Sequence, residues 1–342
     1  MDTLNKTEVM PGDIVLYHGD SLLAKLIQFF DGTEMNHAAI YLGEGMVGEA
    51  LAGGLKRRTL EESLSDDEYV IVRRLKTDPG TIDPVVNKAR DYLAIGNRYG
   101  FEQIFLLAFL GLTRKLQVNP FLGWLLRKIF DQAAAWLMDQ GHKQPMICSE
   151  FAYRCYDEAL PVANDPYALD IAPFPAPFSE GPPGVKSFSA AFLNPKVHRD
   201  SLLAWTEDVT TRRSRSGSNV LLHSIPKTKL SAEERKIAAM PLETLAKNYL
   251  EEAKKPLARS RSFEASLRSP EMLGDIYRFS QALWASNRGQ GRKAVKPPKT
   301  VRGASEVPEA LENLFQTAAD FVTPGDLYGC HDLFSVGRMV PE

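Results

Sequence analysis

The sequence predicts an α+β protein, with an antiparallel sheet packed on helices and a mostly helical C-terminal extension. Residues 12–75 consist of short β-type runs separated by tight turns. Two of these runs, 38–42 and 46–50, flank the turn "GEG" and are typical of an antiparallel hairpin. Farther along the chain, apolar residues recur at helical spacing in 120–141 and 231–285.

Four runs are predicted to be strands, with helices between and after them. The strands are "GDIVLYH", "HAAIYLG", "MVGEAL" and "EYVIVRRL". A helix with Ser21 as its N-cap is predicted for "SLLAKLIQFF", between the first two strands. A second helix, "PVVNKARDYLAIG", is predicted to stop at Gly96.

The most apolar part of the chain is 101–141. Its second half, "PFLGWLLRKIFDQAAAWLMDQG", begins with Pro120, which a first helical turn tolerates, and predicts a helix with a wide apolar face. Two interpretations stay open. The helix packs on its own domain, or it forms a lid or surface that receives an acyl chain or a membrane.

The composition excludes several classes of protein. Of 342 residues, 44% are hydrophobic and 25% are charged; the net charge of -2 gives no argument for nucleic acid as a partner. Three cysteines do not make a disulfide framework and fit a reducing compartment. The N-terminus lacks the pattern of a secretory signal, and the longest apolar run, "IFLLAFLGL", is about half a membrane span. We therefore expect a cytoplasmic protein, with export by a non-classical route left open.

One cysteine lies where a thiolate would be stabilised. Cys148 directly precedes "SEFAYRCYDEAL", whose apolar spacing predicts a helix with Ser149 in its first turn. Exposed amides and the helix dipole at such an N-terminus lower the pKa of a thiol, and the thiolate is the nucleophilic form. The alternative is that Cys148 is simply a small buried apolar residue.

The other two cysteines are predicted to be structural. Cys155 lies about 10 Å along the same helix, too far from Cys148 for a disulfide. The spacing of the two is no zinc pattern either. Cys330, beside His331, is more often a packed cysteine next to a surface histidine than a site. We predict no metal and no cofactor.

An imidazole and a carboxylate are predicted to meet at the hairpin. His37 leads the strand "AAIYLG", at a strand end where a side chain can face a cleft. Because the start of one hairpin strand lies across from the end of the other, His37 and Glu49 should be near neighbours. A nucleophilic thiol needs a base beside it and a third group that orients the base. The alternative is that His37 is structural, as most histidines near strands are.

The order of these segments resembles that of a known enzyme family. "PGDIVLYHG", "NHAAIYLG", "VGEALAGGLKRRTLEESL", "YVIVRRL" and "ICSEFAYRCYDEA" follow one another as in circularly permuted papain-like amidases. These form the YaeF/YiiX-like branch of the NlpC cysteine peptidase superfamily, related to lecithin–retinol acyltransferase. In this branch the histidine precedes the cysteine, as His37 precedes Cys148. The resemblance covers about residues 10–160, and "FVTPGDLYGCHDLFSVGRM" is similar to a tail of the same group.

The resemblance implies a permuted papain-like (NlpC-like) fold and a role for each residue. Cys148 would be the nucleophile, His37 the general base and acid, and Glu49 the group that orients His37. The implied reaction is attack on an amide or ester carbonyl to form an acyl-enzyme. The backbone N–H of Cys148 is expected to help hold the oxyanion. Further candidates for the oxyanion hole and the substrate cleft are Tyr17, His18 and Ser149.

Three regions are predicted along the chain. Residues 1–195 form the permuted papain-like catalytic domain, with the apolar helical insert at about 101–141. Residues 196–307 form a helical extension whose basic, flexible loops are "TRRSRSGSN" and "SNRGQGRKAVKPPKTVRG". Residues 308–342 form a C-terminal helix and a tail that packs back on the catalytic domain.

Three functions are compatible with these residues. The first is a cysteine hydrolase acting on an amide or ester of an acylated or lipidic substrate, with acyl transfer as a variant and peripheral lipid contact through 101–141. The second is an amidase or endopeptidase that cleaves the stem peptide of peptidoglycan and is delivered as a bacterial effector. The third is a non-catalytic binding module, which has no need of a thiol at a helix start. No nucleic acid partner is expected, and the oligomeric state stays open.

Overall fold

The chain divides into two compact units. Unit 1 comprises Met1–Leu106, Lys143–Pro175 and Asp320–Glu342, and unit 2 comprises Leu107–His142 and Ala176–Ala319. The computed structural model describes residues 2–51, 54–65, 67–95, 98–100, 107–108, 110–111, 119–140, 144–160, 165–171, 231–255, 270–287 and 322–341. From residue 107 on, the apolar insert therefore groups with unit 2. The predicted domain boundaries at 195 and 307 lie outside the described residues.

The elements have the following bounds. The strands are β1 (Ile14–His18), β2 (His37–Gly43), β3 (Met46–Leu51), β4 (Gly54–Thr59), β5 (Tyr69–Leu75), β6 (Arg98–Gly100), β7 (Gln144–Met146) and β8 (Leu333–Met339). The α-helices are α1 (Leu22–Asp31), α2 (Leu60–Leu64), α3 (Asp83–Ile95), α4 (Leu122–Gln140), α5 (Cys148–Asp157), α6 (Ala232–Ala238), α7 (Leu242–Ala253), α8 (Pro270–Asn287) and α9 (Pro324–Gly329).

Unit 1 is built on a six-stranded sheet in the order β4-β3-β2-β1-β5-β8, with every neighbouring pair antiparallel. Helices pack against this sheet, so the predicted α+β class is confirmed. The four predicted strands are β1, β2, β3 and β5, and the predicted helices at Ser21 and before Gly96 are α1 and α3. The edge strands β4 and β8 come from segments that the sequence analysis did not predict as strands.

The side chains of the central strands alternate between two apolar cores, one on each face of the sheet. Leu16, Ala38 and Ile40 lie in the core that also contains Cys148 and Phe151 of α5. The intervening residues belong to a second core on the opposite face, which includes Val15, Tyr17, Ala39, Val47, Leu60 and Leu64. By the same alternation His37 belongs to the face of the second core, because it lies directly opposite Tyr17 in the β1–β2 ladder.

A tight turn sets the register of β2 against β3. Its residues Gly43, Glu44 and Gly45 have φ values of 91°, 54° and 71°. Glycine adopts this left-handed conformation without a steric penalty, which is why the turn is glycine-rich. The resulting ladder places Ala39 opposite Glu49. The predicted hairpin is therefore present, with the carboxylate near the start of β2.

The C-terminal residues 322–341 belong to unit 1 through α9 and β8. Strand β8 pairs with β5 at the edge of the sheet. The guanidinium of Arg73 donates hydrogen bonds to the carbonyl oxygens of Cys330 and Leu333, at 2.8 and 2.9 Å, and to Oγ of Ser335 at 2.8 Å. These bonds join the body of the sheet to the segment that enters β8.

Unit 2 contains the predicted apolar helix as α4, whose bounds are close to those predicted. Its buried side chains include Leu125, Ile129 and Phe130, and the Phe130 ring lies 5.7 Å from that of Phe279 in α8. Arg127 of α4 also pairs with Asp275 of α8 at 2.7 Å. Much of the apolar face is thus packed within unit 2, and lipid contact through 101–141 stays a prediction. The predicted basic loop from residue 211 and the helix predicted from residue 308 lie outside the described residues. The second basic loop was predicted to begin at Ser286, but Ser286 and Asn287 are the last residues of α8, and the rest of that loop lies outside the described residues.

Within the parts of the chain that the structure describes, no helix has both the length and the apolar character needed to cross a bilayer.

Candidate active site

Cys148 is the first residue of α5, and three neighbouring groups favour the ionised form of its thiol. These are the imidazole of His37 and the backbone N–H groups of Ala38 and Ser149. Burial alone would raise the pKa of the thiol, but the charge and hydrogen bond of His37, assisted by the two amides, lower it below its ordinary value. The residue is buried, with 6% of its surface exposed. The surroundings of the thiol therefore favour its ionised form, the thiolate.

His37 begins β2 and has a partner on each side of its ring. Nε2 lies 2.9 Å from Oε2 of Glu49, which leaves Nδ1 for the thiol of Cys148. Burial would lower the pKa of the imidazole. The negative charge and hydrogen bond of Cys148, followed by those of Glu49, outweigh burial and raise this pKa well above its ordinary value. The arrangement favours a thiolate–imidazolium pair.

Glu49 lies in β3, two residues along the ladder from His37 and on the same face of the sheet. Its side chain is almost fully buried, at 1% exposure. Burial would raise the pKa of the carboxyl group, but His37, then Arg58 and Ser63, lower it. An ionised carboxylate is costly to bury unless charged and hydrogen-bonding groups compensate, and here they are supplied from three neighbouring elements.

Two of the groups behind Glu49 were not singled out from the sequence. Ser63 in α2 lies 3.3 Å from Oε2 of Glu49 and 2.7 Å from the hydroxyl of Tyr17. Arg58 in β4 lies 3.3 Å from Oε1 of Glu49, an oxygen that accepts no hydrogen bond from the described residues. The available signal was the sequence "TLEES", a capping box at Thr59 that begins α2 directly after β4.

Tyr17 and His18, two further site candidates, have other partners. Tyr17 is fully buried, with its ring centroid 5.2 Å from that of His37 and its hydroxyl 2.7 Å from Oγ of Ser63. Nδ1 of His18 lies 2.7 Å from the carbonyl oxygen of Glu34, and Nε2 lies 3.3 Å from a carboxylate oxygen of Glu68. Tyr17 therefore stands behind the imidazole, and both ring nitrogens of His18 are engaged away from the thiol.

Ser149, the last predicted site residue, has two separate contacts. Its hydroxyl is fully buried and donates to the carbonyl oxygen of Val322 at 2.5 Å. Its backbone N–H faces the sulfur of Cys148. The side chain is thus used to attach the start of α5 to the C-terminal segment, whereas the main chain contributes to the environment of the thiol.

The other cysteines differ from Cys148 in their surroundings. Cys155 is fully buried in the core, and burial raises the pKa of its thiol well above the ordinary value. Burial also raises the pKa of Cys330. All three cysteines are free thiols. In the described ranges, no group of three or more His, Cys, Asp or Glu side chains is placed to share a metal ion.

Comparison with known proteins shows a distant relationship. No protein-family model matches the chain. The chain is similar to the "Probable lipoprotein peptidase YaeF" of Escherichia coli (strain K12). The two are 24% identical over 161 residues, which is 44% of this chain and 57% of that protein. The chain thus spans little more than half the length of this relative, and the similarity supports a YaeF-like relationship without assigning a substrate.

Proposed function

We propose that unit 1 is a cysteine hydrolase that cleaves an amide or ester bond with Cys148, His37 and Glu49. The observation that carries the proposal is that the imidazole at the start of β2 lies beside a thiol more than a hundred residues later, at the start of α5, and that this neighbour lowers the pKa of the thiol and raises the pKa of the imidazole. The carboxylate of Glu49 holds the opposite nitrogen of the same ring at 2.9 Å. A packed structural cysteine does not need this polar environment, as Cys155 illustrates.

The proposed reaction begins from the thiolate–imidazolium pair. The sulfur of Cys148 attacks the carbonyl carbon, and the electron pair of the C=O bond moves to oxygen to form a tetrahedral intermediate. As the intermediate collapses, the bond to the leaving group breaks and His37 gives that group its proton. Water then attacks the thioester, loses a proton to His37, and the carboxylic acid product leaves as the Cys148 thiolate returns. Glu49 keeps the imidazole oriented and stabilises its positive charge throughout.

The start of α5 is the proposed oxyanion donor. Cys148 occupies the first position of the helix, and backbone N–H groups at that position have no partner within the helix. The N–H of Cys148 can therefore donate to the developing oxyanion. The order of the chain, with His37 before Cys148, supports the permuted papain-like arrangement as part of this proposal.

The proposed substrate is the amide or ester of an acylated or lipidic molecule. A peptide is the second candidate, and it is favoured by the printed name of the relative, a probable lipoprotein peptidase. Within this candidate, the stem peptide of peptidoglycan remains a specific proposal. Release of soluble fragments from purified cell wall, compared with turnover of acyl reporters, separates the two.

The proposal is tested by trapping the acyl-enzyme. The protein is incubated with an acyl p-nitrophenyl ester or an N-acyl peptide, quenched in acid and digested, and the peptides are measured by mass spectrometry. We expect an acyl adduct on Cys148 in the wild type and in Cys155→Ala, and none in Cys148→Ala. Turnover that continues undiminished in Cys148→Ala would exclude the thiol mechanism and leave a non-catalytic binding module as the better explanation.

A further inference from the structure

A buried pair of hydroxyl groups lies behind the carboxylate of Glu49. Oγ of Ser63 is 3.3 Å from Oε2 of Glu49, the same oxygen that contacts Nε2 of His37. The Tyr17 hydroxyl lies 2.7 Å from Oγ of Ser63. Ser63 is 3% exposed and Tyr17 is fully buried, so water does not replace these partners easily. The contacts join β1, α2, β3 and β2 in one polar chain.

The direction of each hydrogen bond follows from the charge of Glu49. An ionised carboxylate only accepts hydrogen bonds, so the single hydroxyl proton of Ser63 must point to Oε2. Oγ of Ser63 is then an acceptor for the hydroxyl proton of Tyr17. The order of donors is therefore Tyr17 to Ser63 to Glu49, and from the other side His37 to Glu49. Every proton in this chain points to the carboxylate.

We propose that Ser63 is a positioning residue, which holds the Glu49 carboxylate in place for His37 and is itself oriented by the hydroxyl of Tyr17. The inference rests on the proposed function, because it concerns the same imidazole. Ser63 touches no reacting atom in this scheme. It acts by restricting one oxygen of Glu49, so that this oxygen remains directed at Nε2.

The charged and titratable groups around the imidazole define what a pH measurement would detect. His37 faces Cys148 from α5, Tyr17 from β1 and Glu49 from β3. Glu49 in turn faces Arg58 from β4, whose guanidinium favours the ionised carboxylate. Without the Ser63 hydroxyl, the carboxylate of Glu49 is less firmly oriented toward His37. The pKa of His37 should therefore fall, and the imidazolium should lose its proton at lower pH.

The test uses Ser63→Ala and the alkylation of Cys148 by iodoacetamide, which needs no knowledge of the substrate. Rates are measured from about pH 4 to about pH 10, where the thiol and the imidazole titrate. We expect the alkaline step of the profile, assigned to His37, to move down by at least about half a pH unit. With an acyl p-nitrophenyl ester, kcat should fall by about tenfold while KM changes little.

Ser65→Ala is the matched control. Ser65 is an exposed serine two residues farther on, and its hydroxyl donates to the carbonyl oxygen of Glu62 at 2.9 Å. This variant should keep the wild-type profile and kcat. A wild-type profile in folded Ser63→Ala would overturn the inference about Ser63 alone. A wild-type protein without accelerated alkylation of Cys148 at acidic pH would instead overturn the proposed function.

A second variant keeps the inference testable if Ser63→Ala does not fold. Tyr17→Phe removes the hydroxyl that orients Ser63 and should shift the profile in the same direction by a smaller amount. In the double variant, Tyr17→Phe should add nothing to the effect of Ser63→Ala, because both act through one hydrogen-bonded chain. Fully additive shifts, or an unchanged profile in Tyr17→Phe, would contradict the proposed chain.

Discussion

At the scale of single residues, Cys148 and Cys155 show how the same side chain acquires different chemistry. Both lie in α5 and both are buried. At Cys155 burial dominates and raises the pKa of the thiol, whereas at Cys148 the charge of His37 and two backbone amides overcome burial and lower it. The difference arises from the partner that each thiol meets, and it can be measured.

We expect iodoacetamide to alkylate Cys148 at least about tenfold faster than Cys155 near pH 6. Because the pKa of Cys148 is lowered, its thiolate persists as the pH falls until the pH drops below that pKa. Because the pKa of His37 is raised, its imidazolium persists as the pH rises until the pH exceeds that pKa. The ion pair therefore occupies the window between the two. Trypsin cleaves after Arg154, so mass spectrometry can follow each cysteine in its own peptide.

His37→Ala provides the control for this measurement. Without the imidazole, the acid-side advantage of Cys148 should disappear. The two residues differ slightly in exposure, 6% for Cys148 and 0% for Cys155. A rate ratio that stays constant with pH and survives His37→Ala would show that only accessibility distinguishes the two thiols.

Glu49→Gln should lower kcat by about tenfold or more, because the neutral amide no longer stabilises the imidazolium. The amide oxygen can still accept from His37, so the thermal unfolding midpoint should change little. Steady-state kinetics with an acyl reporter and a thermal melt measure the two effects. Glu44→Gln, an exposed change in the same hairpin, is the matched control. A large loss of thermal stability with unchanged kcat would make Glu49 a structural residue.

At the scale of elements, the position of α5 depends on a segment that is distant in sequence. The helix begins at Cys148, and the next residue, Ser149, donates its hydroxyl to the carbonyl oxygen of Val322. The same C-terminal segment is attached to α1, because Asp31 accepts from the Thr323 hydroxyl at 2.8 Å and from the Gly325 N–H at 2.7 Å. These contacts tie the start of α5 to the start of α9.

Ser149→Ala is therefore expected to lower the free energy of unfolding by about 1–2 kcal/mol, because it leaves the buried carbonyl group of Val322 without this donor. It should also slow alkylation of Cys148, since the helix start is less firmly held. Urea unfolding and the alkylation rate measure these effects. Ser280→Ala is the comparison, because the hydroxyl of that buried serine donates within its own helix, to the carbonyl oxygen of Ile276 at 2.7 Å. Equal alkylation rates in wild type and Ser149→Ala would remove Ser149 from the positioning of the thiol.

At the scale of the molecule, both ends of the chain meet at one edge of the unit 1 sheet. The N–H of Leu4 donates to the carbonyl oxygen of Arg338 at 2.8 Å, and the N–H of Arg338 donates to the carbonyl oxygen of Asp2 at 2.9 Å. Arg73 in β5 donates hydrogen bonds to two carbonyl oxygens and one hydroxyl at the start of β8 and just before it. The edge of the sheet is thus built from three distant parts of the sequence.

Arg73→Met should lower the free energy of unfolding of the protein by about 1–3 kcal/mol, because two carbonyl groups lose their donor while the apolar part of the side chain is kept. Denaturant unfolding followed by circular dichroism measures the change. Arg57→Met, an exposed arginine on β4, should have little effect. A stability equal to that of the wild type would mean that backbone pairing alone holds β8.

Much of the sheet was predictable because the relevant signals are local. Alternating apolar residues predicted β1, β2, β3 and β5, and the glycine turn predicted the hairpin that brings His37 near Glu49. The edge strand β4 was missed because "GLKRRT" is polar, as exposed edge strands often are. Strand β8 was missed because its pairing with β5 connects residues more than 250 positions apart.

The sequence by itself determined the α+β class, the hairpin with its imidazole and carboxylate, and a thiol at the start of a helix, since each depends on residues within a few turns or one hairpin. Only the tertiary structure decided that the thiol meets the imidazole. Cys148 lies in the core on one face of the sheet, whereas strand alternation assigns His37 to the other face. The two nevertheless lie side by side because His37 is the first residue of β2. Ser63 and Tyr17 likewise meet Glu49 only through packing, because no periodic pattern encodes a hydrogen bond between a helix and two strands.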